Sequence, residues 1–217
     1  MEDIEFSQPA GDQSAVVRQC LDRVGVINDR EEWVAMLTEW IDDIRETPID
    51  GFRLADIDRS RRLDEMEFHF PLATETDVFA ILQSAGYCRG RFFSRASSTG
   101  LMTGMIDLVF EHDGRYWLAD YKSNHLGNDP AHYDPERIAA AIDHHLYDLQ
   151  YLIYTVALDR YLAGRINDYD YESHFGGVAY LFLRGMHKQG GEGVFVDRPS
   201  PELVRKLAQA LRGRTAA

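Results

Sequence analysis

GMIDLVFEHDGRYWLADYKSN, residues 104–124, reads as two apolar strands joined by a tight turn at Asp113-Gly114. Centring the hairpin on that dipeptide sets Glu111 against Tyr116, Val109 against Leu118, and Asp107 directly opposite Asp120. Cross-strand partners have Cβ atoms about 5 Å apart, so two carboxylates placed there repel unless a proton or a cation lies between them. Period-two alternation puts Lys122 on the face of Asp120 and turns Tyr121 away. Two hard oxygen acceptors and one ammonium around a common point suit phosphodiester cleavage. The carboxylates would hold Mg²⁺, and the lysine would orient a nucleophile or stabilise developing negative charge. A plainer reading stands beside this one, with Asp107 an edge-strand charge and Asp120–Lys122 a solvated ion pair. A three-residue turn would shift the register by one and abolish the facing pair. The flanking Met105, Ile106, Leu108, Val109, Phe110, Trp117, Leu118 and Ala119 argue for buried strands, where unpaired carboxylates are rare.

Asp107 followed by Asp120-Tyr121-Lys122 resembles the D…(D/E)xK signature of the restriction-endonuclease-like, or PD-(D/E)xK, nuclease superfamily. Three longer blocks in order, residues 104–127, YDLQYLIYTVALDRYL at 147–162 and INDYDYESHFGGVAYLFLRG at 166–185, are similar to the C-terminal nuclease domain of RecB-type helicase-nucleases. The likeness runs from about Glu65 to Arg184 and more weakly to both ends. A D…DxK pattern alone is weakly specific, whereas three ordered blocks are strongly so. The resemblance implies Mg²⁺-dependent hydrolysis of DNA, with Mn²⁺ able to substitute. It assigns Asp107, Asp120 and the Tyr121 carbonyl to the metal, Lys122 to the attacking water, and Glu65, three residues before Phe68, to an assisting role. It makes Gln150 and Tyr154 a Q-x-x-x-Y pair beside the site, on DNA backbone or the lysine region. It further implies recombinational repair of double-strand breaks, RecC and RecD as partner subunits, and a surface that helps load RecA.

The chain has 217 residues, 45% of them hydrophobic and 12% aromatic, enough for one globular domain with a real core. Its net charge of −13 is the wrong sign for holding DNA by its own field, which implies delivery by a partner. Cys20 and Cys88 have neither metal nor disulfide-framework spacing, which suits a reducing cytoplasm. No apolar run approaches the roughly 18 residues that span a membrane, so no membrane partner is expected. No P-loop pattern occurs, so a nucleotide-driven motor is not encoded here.

Taken in order, residues 12–24 carry apolar positions at helical spacing. Asn28 or Asp29 then caps a helix with a stripe of Trp33, Met36, Leu37, Trp40, Ile41 and Ile44, a core or docking face. The run LDEMEFHFPL from Leu63 alternates, placing Met66, Phe68 and Phe70 on one face and Glu65, Glu67 and His69 on the other, with Glu67 an alternate to Glu65. Thr76 to Ala85 reads as a short helix. Arg89, Arg91 and Arg95 interleave with Phe92 and Phe93, which fits either single-stranded nucleic acid or a solvated basic face. Arg59, Arg61 and Arg62 form a second cluster of the same ambiguity. Pro135 opens a helix that loosens around Asp143 to Asp148 and resumes from Leu149 to Leu162, with Gln150 and Tyr154 one turn apart. Phe175 to Leu183 is a buried strand, and Ser200 caps a last helix from Pro201.

RecB-type nucleases add a metal-ligand histidine from a helix in front of the glutamate strand, and no histidine precedes Trp33. Residues 2–13, EDIEFSQPAGDQ, resemble the segment that follows that helix, so the chain reads as a fragment of a larger helicase-nuclease with a weakened metal site. The expected fold is α/β, a central mixed sheet from the Glu65 strand, the Asp107–Lys122 hairpin and the Phe175 strand, flanked by helices. It forms one domain over 1–217, with a helical part at 1–62, a nuclease core at 63–184 and a C-terminal strand and helix at 185–217. The competing class is a protein-interaction module that docks RecC or RecA through the helical face around Trp33 and Trp40.

Overall fold

The computed structural model describes residues 1–25, 28–74, 78–89 and 98–212. Five strands form one mixed sheet in sequence order: β1 (Arg62–Thr74), β2 (Ser98–His112), β3 (Arg115–Lys122), β4 (Phe175–Phe182) and β5 (Val194–Asp197). Only β3 and β4 run parallel. A parallel pair needs a crossover, and this one passes through α4 (Pro135–His145), α5 (Tyr147–Ala163) and the single turn α6 (Tyr171–His174). Leu146, in the left-handed conformation at φ 56°, is the joint between α4 and α5, where the sequence pattern loosens.

Two apolar cores lie on the two faces of the sheet. One joins Phe68, Ile106, Leu118, Tyr180 and Phe182 to α3 (Val78–Ser84), to α5 and to α7 (Pro201–Arg212). The other joins Leu108, Phe110, Trp117, Ala119 and Leu181 to the N-terminal segment, including Phe6, Phe52 and Ile44. Ile44 belongs to α2 (Arg30–Glu46), which packs on α1 (Ser14–Val24) and ends at Thr47, whose extended backbone the following Pro48 demands. The stripe on α2 divides: Ile44 is buried and Trp40 donates its indole N–H to the Leu183 carbonyl at 2.9 Å, whereas Trp33 and Met36 are 44% and 51% exposed. Among the described residues no helix is long and apolar enough to cross a membrane. Cys20 is exposed and Cys88 buried, and the two form no disulfide.

In β1 and β2 strict alternation fails at one shared place. Met66, Phe68 and Phe70 face the α5/α7 core, yet Arg62, of the same parity, lays its guanidinium 3.8 Å from the Phe6 ring centroid on the opposite side. In β2, Ile106 faces the α5/α7 core and Leu108 the other. Both strands therefore exchange faces at the position of Glu65 and Asp107, which the flanking pairs Asp64↔Leu108 and Met66↔Ile106 set opposite each other. Glu65 has φ 52°, a left-handed residue inside a strand, and that rotation carries the exchange.

Upstream of this point β1 and β2 continue as a two-stranded ribbon, and Gly104 is the place where it closes on Phe68. A Cβ at Gly104 would stand 2.5 Å from Phe68 Cζ, and that ring is held by Phe70 at 5.9 Å and edge-on by Tyr154 at 5.6 Å. Gly104→Ala is expected to destabilise the fold by about 1–3 kcal/mol, because the added methyl forces the ring to shift against its Phe70 and Tyr154 neighbours. Urea denaturation measures this, and an unchanged midpoint would show that the ribbon yields without cost.

Candidate active site

The hairpin between β2 and β3 turns through Asp113 and Gly114, with φ of 49° and 76°, the two left-handed residues of a type I′ turn. That two-residue turn sets Glu111 against Tyr116 and Val109 against Leu118, as the sequence arithmetic gives. The ladder then stops at Leu108↔Ala119, one step short of Asp107 and Asp120. Beyond it β3 stays paired with β4 while β2 leaves with β1, so the sheet forks and the two aspartates stand in the fork. Asp107 closes it by accepting the Tyr121 backbone N–H at 2.9 Å.

Asp120 is 4% exposed and Lys122 8% exposed, and their charged groups meet at 2.6 Å. This is a buried ion pair, so the reading of a solvated one is set aside. Burial, reinforced by neighbouring Asp107, pushes the Asp120 carboxyl up to about 6 against the opposing pull of Lys122. Glu65 is exposed, and its carboxyl is raised chiefly by Glu2, with Asp107 contributing.

The lysine is held on its other sides as well. Lys122 Nζ donates to Gln150 Oε1 at 2.9 Å, the same oxygen accepts the Tyr180 hydroxyl at 2.9 Å, and Gln150 Nε2 donates to the Tyr154 hydroxyl at 2.9 Å. The ammonium lies 4.0 Å from the ring centroid of Tyr147 and 4.6 Å from that of Tyr180. Sequence reasoning passed over both rings. The signal for Tyr147 was present, since 147, 150 and 154 share one helical face. Tyr180 sits beside Asp120 in the β3–β4 register, which a sequence alone does not give.

The remaining candidates are placed as follows. Glu67 is exposed on the ribbon. Arg89 turns its Nε to the Gly86 carbonyl of its own turn, while Arg91 and Arg95 lie outside the described residues. Of the second basic cluster, Arg59 and Arg62 pair with Asp64 and Arg61 with Glu111. Among the described residues no three carboxylate, imidazole or thiol groups converge as a ready-made metal cluster. The chemistry of the pair at the fork nonetheless fits a hard divalent cation, because Asp107 and Asp120 are oxygen donors whose mutual repulsion and desolvation a cation would relieve.

A model of the PD-(D/E)XK nuclease superfamily matches residues 5–217. The chain belongs to that superfamily. Within the PD-(D/E)XK nucleases it is similar to the RecBCD enzyme subunit RecB of Escherichia coli K12, 42% identical over 226 residues covering 99% of this chain and 18% of that protein. The Haemophilus influenzae RecB is 42% identical over 183 residues, 82% of this chain and 15% of its own length. The Mycobacterium tuberculosis H37Rv RecB is 44% identical over 124 residues, 53% of this chain and 11% of its own length. The chain thus spans less than a fifth of the curated relatives it matches. Superfamily and architecture agree, a mixed sheet whose fork carries the D…DxK residues.

The raised Asp120 carboxyl has a consequence for stability. Its folded pKa, about 6, exceeds the value of about 3.9 in an unfolded chain, so the folded state binds a proton the unfolded state does not. The contribution of this group to stability is greatest below pH ~4, falls as pH rises through this window, and is gone above ~6, a loss of about 3 kcal/mol. Denaturation in chelator at several pH values should show this component in the wild type and not in Asp120→Asn. Identical pH slopes for the two would exclude it.

Proposed function

We propose that this domain hydrolyses DNA phosphodiester bonds with a divalent cation, Mg²⁺ or Mn²⁺, as part of a RecB-like helicase-nuclease acting in recombinational repair of double-strand breaks. The observation that carries the reading is the buried Asp120–Lys122 pair beside Asp107 in the fork of the sheet. A divalent cation there would supply neutralisation of phosphate charge and a more acidic water. Asp107 and Asp120 would hold it, with the Tyr121 carbonyl as a third oxygen. Lys122 directs an ammonium at the same point and positions the attacking water. Glu65, opposite Asp107 in register, assists at the open side. Gln150 holds the lysine and is itself held by Tyr154 and Tyr180.

The net charge of −13 repels a DNA backbone, which supports delivery of the strand by partner surfaces. Similarity to RecBCD subunits supports RecC and RecD for that role; loading of RecA nearby is the further part of this proposal. Trp33 and Met36, exposed on α2, favour a docking function alongside catalysis. Pull-down of RecC or RecA by a chain that takes up no Mn²⁺ in calorimetry would turn the balance toward docking alone.

The test of the catalytic reading is cleavage of single- and double-stranded DNA in Mg²⁺ or Mn²⁺. Asp107→Ala and Asp120→Ala should each abolish cleavage with the circular-dichroism spectrum retained. Lys122→Arg keeps the charge but replaces a compact ammonium with a planar fork, and should lower turnover on the order of 10²-fold while cation uptake persists. Wild-type turnover in Asp120→Ala would refute the assignment.

A further inference from the structure

Lys122 sits in a cage whose walls are aromatic. Its ammonium is 4.0 Å from the Tyr147 centroid and 4.6 Å from the Tyr180 centroid, while Asp120 and Gln150 take its polar contacts. Each wall is fixed from behind. Tyr180 donates its hydroxyl to Gln150 and lies on the fully buried β4. Tyr147 donates its hydroxyl to Asn124 Oδ1 at 3.1 Å, and its ring stacks on His145 with centroids 5.1 Å apart at 19°. Asn124 in turn meets His145 Nε2 at 3.2 Å, and its backbone carbonyl accepts the Tyr133 hydroxyl at 3.1 Å. Tyr147 is the first residue of α5, directly after the left-handed Leu146, so the break between α4 and α5 sets this ring over the strand end.

The geometry points to Tyr147 as a positioning residue for Lys122, acting through the face of its ring, with Tyr180 as the opposing wall. The inference rests on the nuclease reading for its purpose. Under that reading Asp120 would hold the divalent cation and would no longer be the ammonium's chief partner. A buried ammonium left with one amide oxygen would be undersatisfied and would draw away toward water. Two ring faces hold a cation without offering a carboxylate that would compete for the metal. The cage therefore keeps Lys122 aimed at the fork while Asp120 is engaged elsewhere, and its contribution belongs to turnover rather than to DNA affinity.

The experiment uses the whole 217-residue chain and has two arms. The first is proton NMR of the lysine side chains with no metal or DNA present. Methylene protons over aromatic faces move upfield, so the Lys122 ε-methylene should be displaced from the other lysines, remain so in Tyr147→Phe, and move back toward them in Tyr147→Leu. The second is cleavage kinetics in Mn²⁺. Tyr147→Leu should lower kcat about tenfold with KM and DNA affinity unchanged, the size expected from losing one desolvated cation–π contact, and Tyr147→Phe should restore most of it. An undisplaced Lys122 methylene in the wild type overturns the cage without reference to any variant. Equal damage from leucine and phenylalanine, or a loss confined to KM, overturns the positioning role. Should the wild type cleave no DNA, the nuclease reading fails, while the NMR arm still decides whether the rings hold the lysine.

Discussion

A carboxylate and an ammonium excluded from water constrain everything around them. Asp120 and Lys122 lie on one short strand, two residues apart, at a depth where neither charge is tolerated alone. The surroundings answer with groups that cannot be rearranged cheaply: a glutamine whose amide is used at both ends, two tyrosine faces, and a second aspartate tied to the backbone across the gap. Such a cluster costs stability when empty. It persists because two hydrophobic cores, one on each face of the sheet, supply the surplus.

Much of this was legible in the residues. Asp113-Gly114 can close a hairpin in only a few ways, and the two-residue form fixes the register from the turn to Leu108 and Ala119. The helices α2, α4, α5 and α7 announced themselves through spacing, and α4 and α7 also through Pro135 and Ser200 at their starts, whereas Asp29 stands at the start of α2 without a side-chain capping bond. What the residues did not disclose was long-range or depended on a single dihedral. Nothing in LDEMEFHF marks Glu65 as left-handed, so strict alternation was carried through a point where both strands change face. The arginines at 59, 61 and 62 looked like a basic patch, although Asp64, the partner of Arg59 and Arg62, stands only two residues beyond Arg62; of the acidic partners only Glu111, which pairs with Arg61, is brought in from another strand by the fold. Tyr180 reaches the lysine through a parallel pairing of strands more than fifty residues apart in sequence, the kind of contact that local pattern cannot encode.

The face exchange at Glu65 and Asp107 also explains how one sheet serves two cores. On the turn side of that point the apolar residues of β2 feed mainly the N-terminal core, and on the ribbon side they feed the core under α5 and α7. A non-glycine residue in the left-handed region carries a conformational cost, and here that cost sits where the acidic side chains gather. The same location serves packing and chemistry, because a strand that rotates must leave its ladder, and a broken ladder is where charged groups find room.

The fork of the sheet makes the molecule a lever. The ribbon of β1 and β2 is one arm, the β3–β4 pair is the other, and Asp107 and Asp120 mark the fulcrum. The long arm rests on α7, near the far end of the chain, through contacts between that helix and β1. The helix α7, remote in sequence from every charged group of the site, thus packs on the same strand that sets Glu65 opposite Asp107 at the fulcrum.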